Sequence, residues 1–158
     1  MIRLLMLLLA FTPGLTHADD VADGFGAYKG QDYATALKSF QRAAAQGDDR
    51  AQYNLGRMYS QGQGATQDDA EAVKWYRLAA RQGHVDAQIN LGLMYSKGSG
   101  VLLDPVRAYM WFDLAAASGN PRAKTHRNIA AGKITAAQIA EARKMARDCL
   151  ARQLKDCN

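Results

Sequence analysis

The chain has 158 residues, 48% of them hydrophobic and 22% charged, a balance that fits one globular domain and excludes an intrinsically disordered chain. Its net charge of +5 is unevenly spread. Residues 121–158 carry nine basic and three acidic side chains, whereas residues 19–120 sum to −2, so the C-terminal third is the electropositive end.

The chain opens with MIRLLMLLLAFTPGLTHA: one basic residue, Arg3, an apolar run from Leu4 to Phe11, a Pro13-Gly14 break, and small Ala18 before Asp19. That order is the pattern of a secretory signal peptide cut after Ala18. The apolar run is well short of the roughly 20 residues that span a bilayer, which argues against an anchor. No later segment is apolar enough to cross a membrane, so the mature product is expected to be soluble and periplasmic or secreted.

After the signal, about Val21 to Lys29 forms a degenerate first helix, joined by Gly30-Gln31 to a second helix that begins near Tyr33 and carries Ala36 and Phe40. From there the chain repeats. AQYNLGRMYSQGQG begins at Ala51 and AQINLGLMYSKGSG at Ala87, and Gly47, Gly83 and Gly119 recur every 36 residues. Trp75-Tyr76 and Trp111-Phe112 keep the same register, as do Ala79-Ala80 and Ala115-Ala116.

Each unit divides into a first helix, about Asp49 to Ser60, and a second, about Asp69 to Gln82, separated by Gly62-Gln63-Gly64. Ala51, Leu55, Met58 and Tyr59 in the first, and Ala72, Val73, Tyr76, Ala79 and Ala80 in the second, recur at helical spacing. Gly56 and Gly92 lie inside helices, where glycine costs up to about 1 kcal/mol relative to alanine. A close approach by the neighbouring helix is the reason expected. One such hairpin leaves an apolar side exposed, and stacking in tandem buries it.

Toward the C-terminus, about Asn120 to Ala130 supplies a last first-helix that has lost the Asn-Leu-Gly triplet, and Gly132-Lys133 ends it. Thr135 and Gln138 have the spacing of a capping box. A long helix is expected from about Ala136 to Leu154, with Ile139, Ala142, Met145, Ala146, Cys149 and Leu150 on one stripe, closing the open end of the stack. Export makes Cys149 and Cys157 candidates for a disulfide. In one straight helix their Cα atoms would be about 12 Å apart, whereas a bridge needs roughly 4.4 to 6.8 Å. If they pair, the helix ends before Cys157 and the tail folds back; free thiols and an intermolecular link are the alternatives.

The pattern A-x-x-x-L-G-x-x-Y-x-x-G-x-G, followed by W-Y/F, A-A and G, resembles the Sel-1-like repeat (SLR), a relative of the tetratricopeptide repeat. The resemblance implies an all-α, α/α superhelical solenoid over residues 19–131 with a capping helix and tail over 132–158. It also implies a scaffold that holds other proteins rather than an enzyme. Tetratricopeptide-like geometry would turn Arg50, Tyr53 and Arg57 to the concave face, then Asp86, Ile89 and Leu93, then Arg122, Thr125 and Ile129. Such a surface suits an extended peptide or a helix with apolar anchors and acidic groups. Some exported, cysteine-rich relatives are associated with penicillin binding or weak β-lactamase activity, but here Ala43, Ala79 and Ala115 stand in the alanine register and are not cysteine.

Little in the chain points to chemistry of its own. After cleavage His84 and His126 are the remaining histidines, neither with a partner at metal-ligand spacing, and no serine lies in a G-x-S-x-G context. Asp68-Asp69-Glu71 sits where acidic groups complement a helix N-terminus, and the Gly-x-Gly loops lack the lysine of a P-loop. The sequence therefore leads to no cofactor, no metal and no nucleic acid, and to a protein or peptide partner. Two other readings stay open: an envelope enzyme of the penicillin-binding type, and weak contact of the basic end with an anionic polymer or membrane surface.

Overall fold

The computed structural model describes residues 17–155 and Cys157. The expected signal peptide lies outside the described residues except for His17 and Ala18. Among the described residues there are eight helices and no strand: α1 (His17–Lys29), α2 (Tyr33–Ala45), α3 (Asp49–Gln61), α4 (Asp69–Ala80), α5 (Val85–Lys97), α6 (Pro105–Ala116), α7 (Pro121–Ala131) and α8 (Ala136–Ala151). The fold is the tandem helical array that the repeats predict.

Helix starts are written into the 36-residue register. Asp32, Asp68 and Asp104 cap α2, α4 and α6, their carboxylates accepting from the backbone N–H of Thr35, Glu71 and Arg107 at 3.1, 2.9 and 2.9 Å. Asp48, His84 and Asn120 do the same for α3, α5 and α7. The capping box at α8 is formed on both sides: Gln138 N–H donates to Thr135 Oγ1 at 3.2 Å, and Thr135 N–H to Gln138 Oε1 at 2.9 Å.

The helices pair as α1/α2, α3/α4 and α5/α6, and each even helix packs on the odd helix that follows it. The odd helices therefore share one layer and the even helices the other. Tyr76 lies over Gly56 and Phe112 over Gly92, so close that an added Cβ would fall 2.6 Å from either ring. Phe40 covers Gly24 in the same way, which shows that the degenerate first unit keeps the helix contact.

The Gly-x-Gly loops join one unit to the one before. Gly62 and Gly98 close α3 and α5 in the left-handed conformation, with φ of 66° and 70°. A Cβ on Gly64 would run into the carbonyl oxygen of Tyr33, and one on Gly100 into that of Asp69. Each loop thus rests its backbone on the start of the preceding unit's second helix. A second joint is polar: the buried Gln52 amide donates to the Ala44 carbonyl at 3.3 Å, and Gln88 donates to Ala80 at 3.2 Å.

Two apolar clusters make up the core. One gathers Val21, Phe40, Leu55 and Met58 with alanines of α2 and α3. The other runs from Ala72 to Cys157 and contains Ile89, Leu91, Tyr109, Trp111 and Phe112, with Tyr59 packing against both. The final helix packs on α6 and covers the last helix of the even layer. It departs from expectation at its end, stopping at Ala151 instead of Leu154, because Gln153 and Leu154 take positive φ of 54° and 62° and turn the tail back. That reversal brings Cys157 to a Cα distance of 4.9 Å from Cys149, and the two form a disulfide.

Candidate peptide-binding face

The row of odd helices carries the residues expected at a binding face, and the structure sorts them into three groups. Tyr53 and Arg57 form an aromatic and cationic end with Tyr28 of α1. The Arg57 guanidinium stands 5.4 Å from the Tyr28 ring centroid and 5.9 Å from that of Tyr53, within reach of cation–π attraction. It donates to the Tyr28 hydroxyl at 3.2 Å, and that hydroxyl donates to Gln63 Oε1 at 2.7 Å. Tyr53 stacks on His84 at 4.5 Å and lies 6.0 Å from Tyr76. Burial pushes the Tyr53 phenol above its ordinary pKa, against the pull of Arg57. Tyr76 is raised in the same sense, again chiefly by burial, with a bond to Ser60 opposing it. Both phenols therefore stay protonated around neutral pH and offer hydrogen-bond donors.

A second group is engaged within the fold. Arg50 reaches back to its own helix cap, Asp48, at 3.1 Å. Arg122 pairs with Asp86 at 3.2 Å, joining α7 to α5. Thr125 donates to the Pro121 carbonyl at 3.0 Å. Ile89 corrects the sequence reading outright: it shares the register of half-buried Tyr53 but has no exposed surface and belongs to the larger core cluster with Leu91 and Trp111. An aliphatic side chain with no polar tip stays in the seam that the longer tyrosine reaches out of.

The third group is Leu93 and Ile129, which meet across a cleft of about 250 Å³ between α5, α6 and α7. Ala108 and Phe112 from α6, with Ala130, complete its apolar lining, and Lys97, Lys133 and His126 stand at its margin. His126 stacks on Phe112 at 5.3 Å. Burial, aided by Arg122, holds its imidazole below the ordinary histidine pKa, so it is neutral at pH 7.

Sequence reasoning missed Tyr28, His84, His126, Lys97 and Lys133 as members of this face. Register offered a signal, since Asn54, Asn90 and His126 are spaced by 36, as are Lys97 and Lys133. Among the described residues no three His, Cys, Asp or Glu side chains stand together as a metal site, and no helix is long and apolar enough to cross a membrane. What the face offers is aromatic surface, guanidinium and amide groups, and an apolar slot, which is chemistry for non-covalent recognition.

A family model described as "Sel1 repeat" matches residues 20–48, 49–84 and 85–120, together more than half of the chain. Among solved structures, one similar chain is a protective antigen present in uropathogenic Escherichia coli strains that displays an SLR fold, with a TM-score of 0.81 and 34% identity. The match covers 84% of this chain and 29% of that one. A Sel1 repeat protein from Oxalobacter formigenes is similar at a TM-score of 0.70 and 33% identity, over 75% of this chain and 51% of the other. This chain thus corresponds to about a third and a half of the length of these two. No curated protein matches the sequence.

Proposed function

We propose that this chain, which belongs to the Sel1 repeat family, is an exported adaptor that binds a protein or peptide along the face of α3, α5 and α7. The carrying observation is that successive units deliver Tyr53 and Arg57, then Leu93, then Ile129 to one row of helices, with aromatic and cationic groups at one end and an apolar cleft at the other. A peptide lying across several units gains many modest contacts from such a row. Export is supported by the signal pattern of residues 1–18 and by the Cys149–Cys157 disulfide, a bond that persists in oxidising compartments. The scaffold reading also agrees with Ala43, Ala79 and Ala115, fully buried in the helix seams where cysteine-rich relatives would carry their bridges.

Crosslinking in the native cell envelope tests the reading. The wild-type chain is expected to capture a defined partner, and a Tyr53→Ala, Arg57→Ala, Leu93→Asp variant is expected to lose it while its far-ultraviolet circular dichroism stays the same. Equal capture by the variant would rule out this face, and covalent labelling of the wild type by penicillin would turn the function toward catalysis.

A further inference from the structure

Deepening the adaptor reading and resting on it, we propose that the cleft between α5, α6 and α7 is the anchor subsite. It takes one large aliphatic or aromatic side chain of an acidic partner peptide, whose adjacent carboxylates are held by Lys97 and Lys133. Size comes first. Pockets that enclose a whole small molecule run from about 300 to 1,000 Å³, and this cleft of about 250 Å³ is matched to one bulky side chain. Leu93, Ala108 and Phe112 give it an apolar floor, and Ile129 stands at the rim with 53% of its surface exposed. Because α8 packs on α6, the C-terminal helix leaves the flank of α7 open.

Charge then selects the occupant. Arg50, Arg107, Arg122 and Arg127 are all engaged with carboxylates of the chain itself. Lys97 and Lys133 have no such partner among the described residues, and they flank the cleft from the ends of α5 and α7. Lys133 sits in the third of the chain that carries the net positive charge.

The repeat supplies an internal control. One unit earlier, the counterparts of Lys97, Leu102 and Leu103 are Gln61, Thr66 and Gln67. The later unit has exchanged neutral polar residues for a cation and two exposed leucines, Leu102 at 89% and Leu103 at 62% exposure. Leu103 lies against Gly98 at the end of α5, next in the chain to Lys97. Apolar surface and positive charge thus rise together from this unit's predecessor to it. Leu102 and Leu103 protrude beside the cleft and do not line it; the cleft itself is a recess, which favours a side chain over a lipid surface.

Selection from a random heptapeptide display library on the mature chain tests the inference, with enriched peptides resynthesised for fluorescence anisotropy. The expected consensus is one large apolar residue next to Asp, Glu or a free C-terminus. Lys97→Gln with Lys133→Gln should weaken binding roughly fivefold at low salt and much less at moderate salt, as exposed ion pairs do. Ile129→Asp, at an exposed position that leaves the fold intact, should weaken it roughly tenfold or more, as loss of an apolar anchor does. Peptides that lack acids, or that respond only to Tyr53→Ala and Arg57→Ala, would overturn the anchor subsite and leave the adaptor reading standing. Failure to enrich any peptide would overturn both. Binding to phosphatidylglycerol vesicles that is lost in Leu102→Ser with Leu103→Ser would assign this end to a lipid surface instead.

Discussion

Gly92 shows how one absent methyl group positions a helix pair. A Cβ there would sit 2.6 Å from the buried Phe112 ring, so alanine's helix-propensity gain of about 1 kcal/mol competes with overpacking that typically costs about 1 to 3 kcal/mol. Gly92→Ala is expected to destabilise the fold by about 1 kcal/mol or more in urea unfolding, because the ring is hemmed in by its own cluster. A gain in stability would show that Phe112 can move freely, and the cleft it floors would then be soft. His126, stacked on that ring, contributes a pH dependence. Its folded pKa is depressed by burial first and Arg122 second, so just below the unfolded value of about 6.5 the unfolded chain holds more of the proton, and stability falls as pH falls through that window. The charged neighbours are Arg122 on α7, Asp86 and Lys97 on α5, and Lys133 beyond α7, while α6 presents the uncharged Phe112. His126→Gln should flatten the loss of melting temperature between about pH 7 and pH 5; an unchanged slope would assign it to other groups.

At the scale of the element, the sequence was readable wherever a helix begins with a side-chain cap and carries apolar residues at helical spacing. The bounds of α3 and α4 fall within two residues of those expected, because Asp48 and Asp68 fix their starts and glycine or its turn fixes their ends. The end of α8 was less legible: nothing in Gln153-Leu154 announces a left-handed reversal, which the disulfide and the contact of Leu154 beside Gly83 accompany in the folded chain. Ile89 was misplaced for a related reason, since register identifies a position on a helix but not how far its side chain reaches. Buried glutamines were missed too, as a polar residue in an amphipathic repeat reads as solvent-facing. Gln88 is 4% exposed and satisfies the Ala80 carbonyl at the end of α4, as Gln52 satisfies Ala44 at the end of α2. Gln88→Leu keeps the volume but removes one of two donors to that carbonyl, which still accepts from the Gly83 N–H at 3.0 Å, so loss of the side-chain bond should cost about 0.5 to 1.5 kcal/mol in chemical denaturation. A neutral result would mean that the Gly83 bond alone satisfies the joint. In α7 the corresponding residue is exposed Lys124, so this polar joint ends with α5.

Over the whole molecule, stability in a stacked array is the sum of local terms, since each unit touches only its neighbours. The two core clusters make that sum unequal. The N-terminal one relies on Phe40, Leu55 and Met58, whereas the C-terminal one buries Ile89, Leu91, Tyr109, Met110 and Trp111 and is closed by the disulfide. Partial opening should therefore start at α1 and α2 and spread toward α3, with α5 and α6 opening last. In native-state hydrogen exchange the slowest amides of α2 should exchange about tenfold or more faster than those of α6, which corresponds to a difference of about 1.4 kcal/mol in opening free energy. Uniform protection from α2 to α6 would instead mean that Tyr59 and the Gly-x-Gly joints couple the array into one cooperative unit. The gradient has a bearing on recognition. A cleft held between the last helices to open is preorganised for its anchor residue, and little binding energy is then lost in ordering it. The Tyr28, Tyr53 and Arg57 end rests on the more labile helices and can adjust to the peptide that the anchor has already placed.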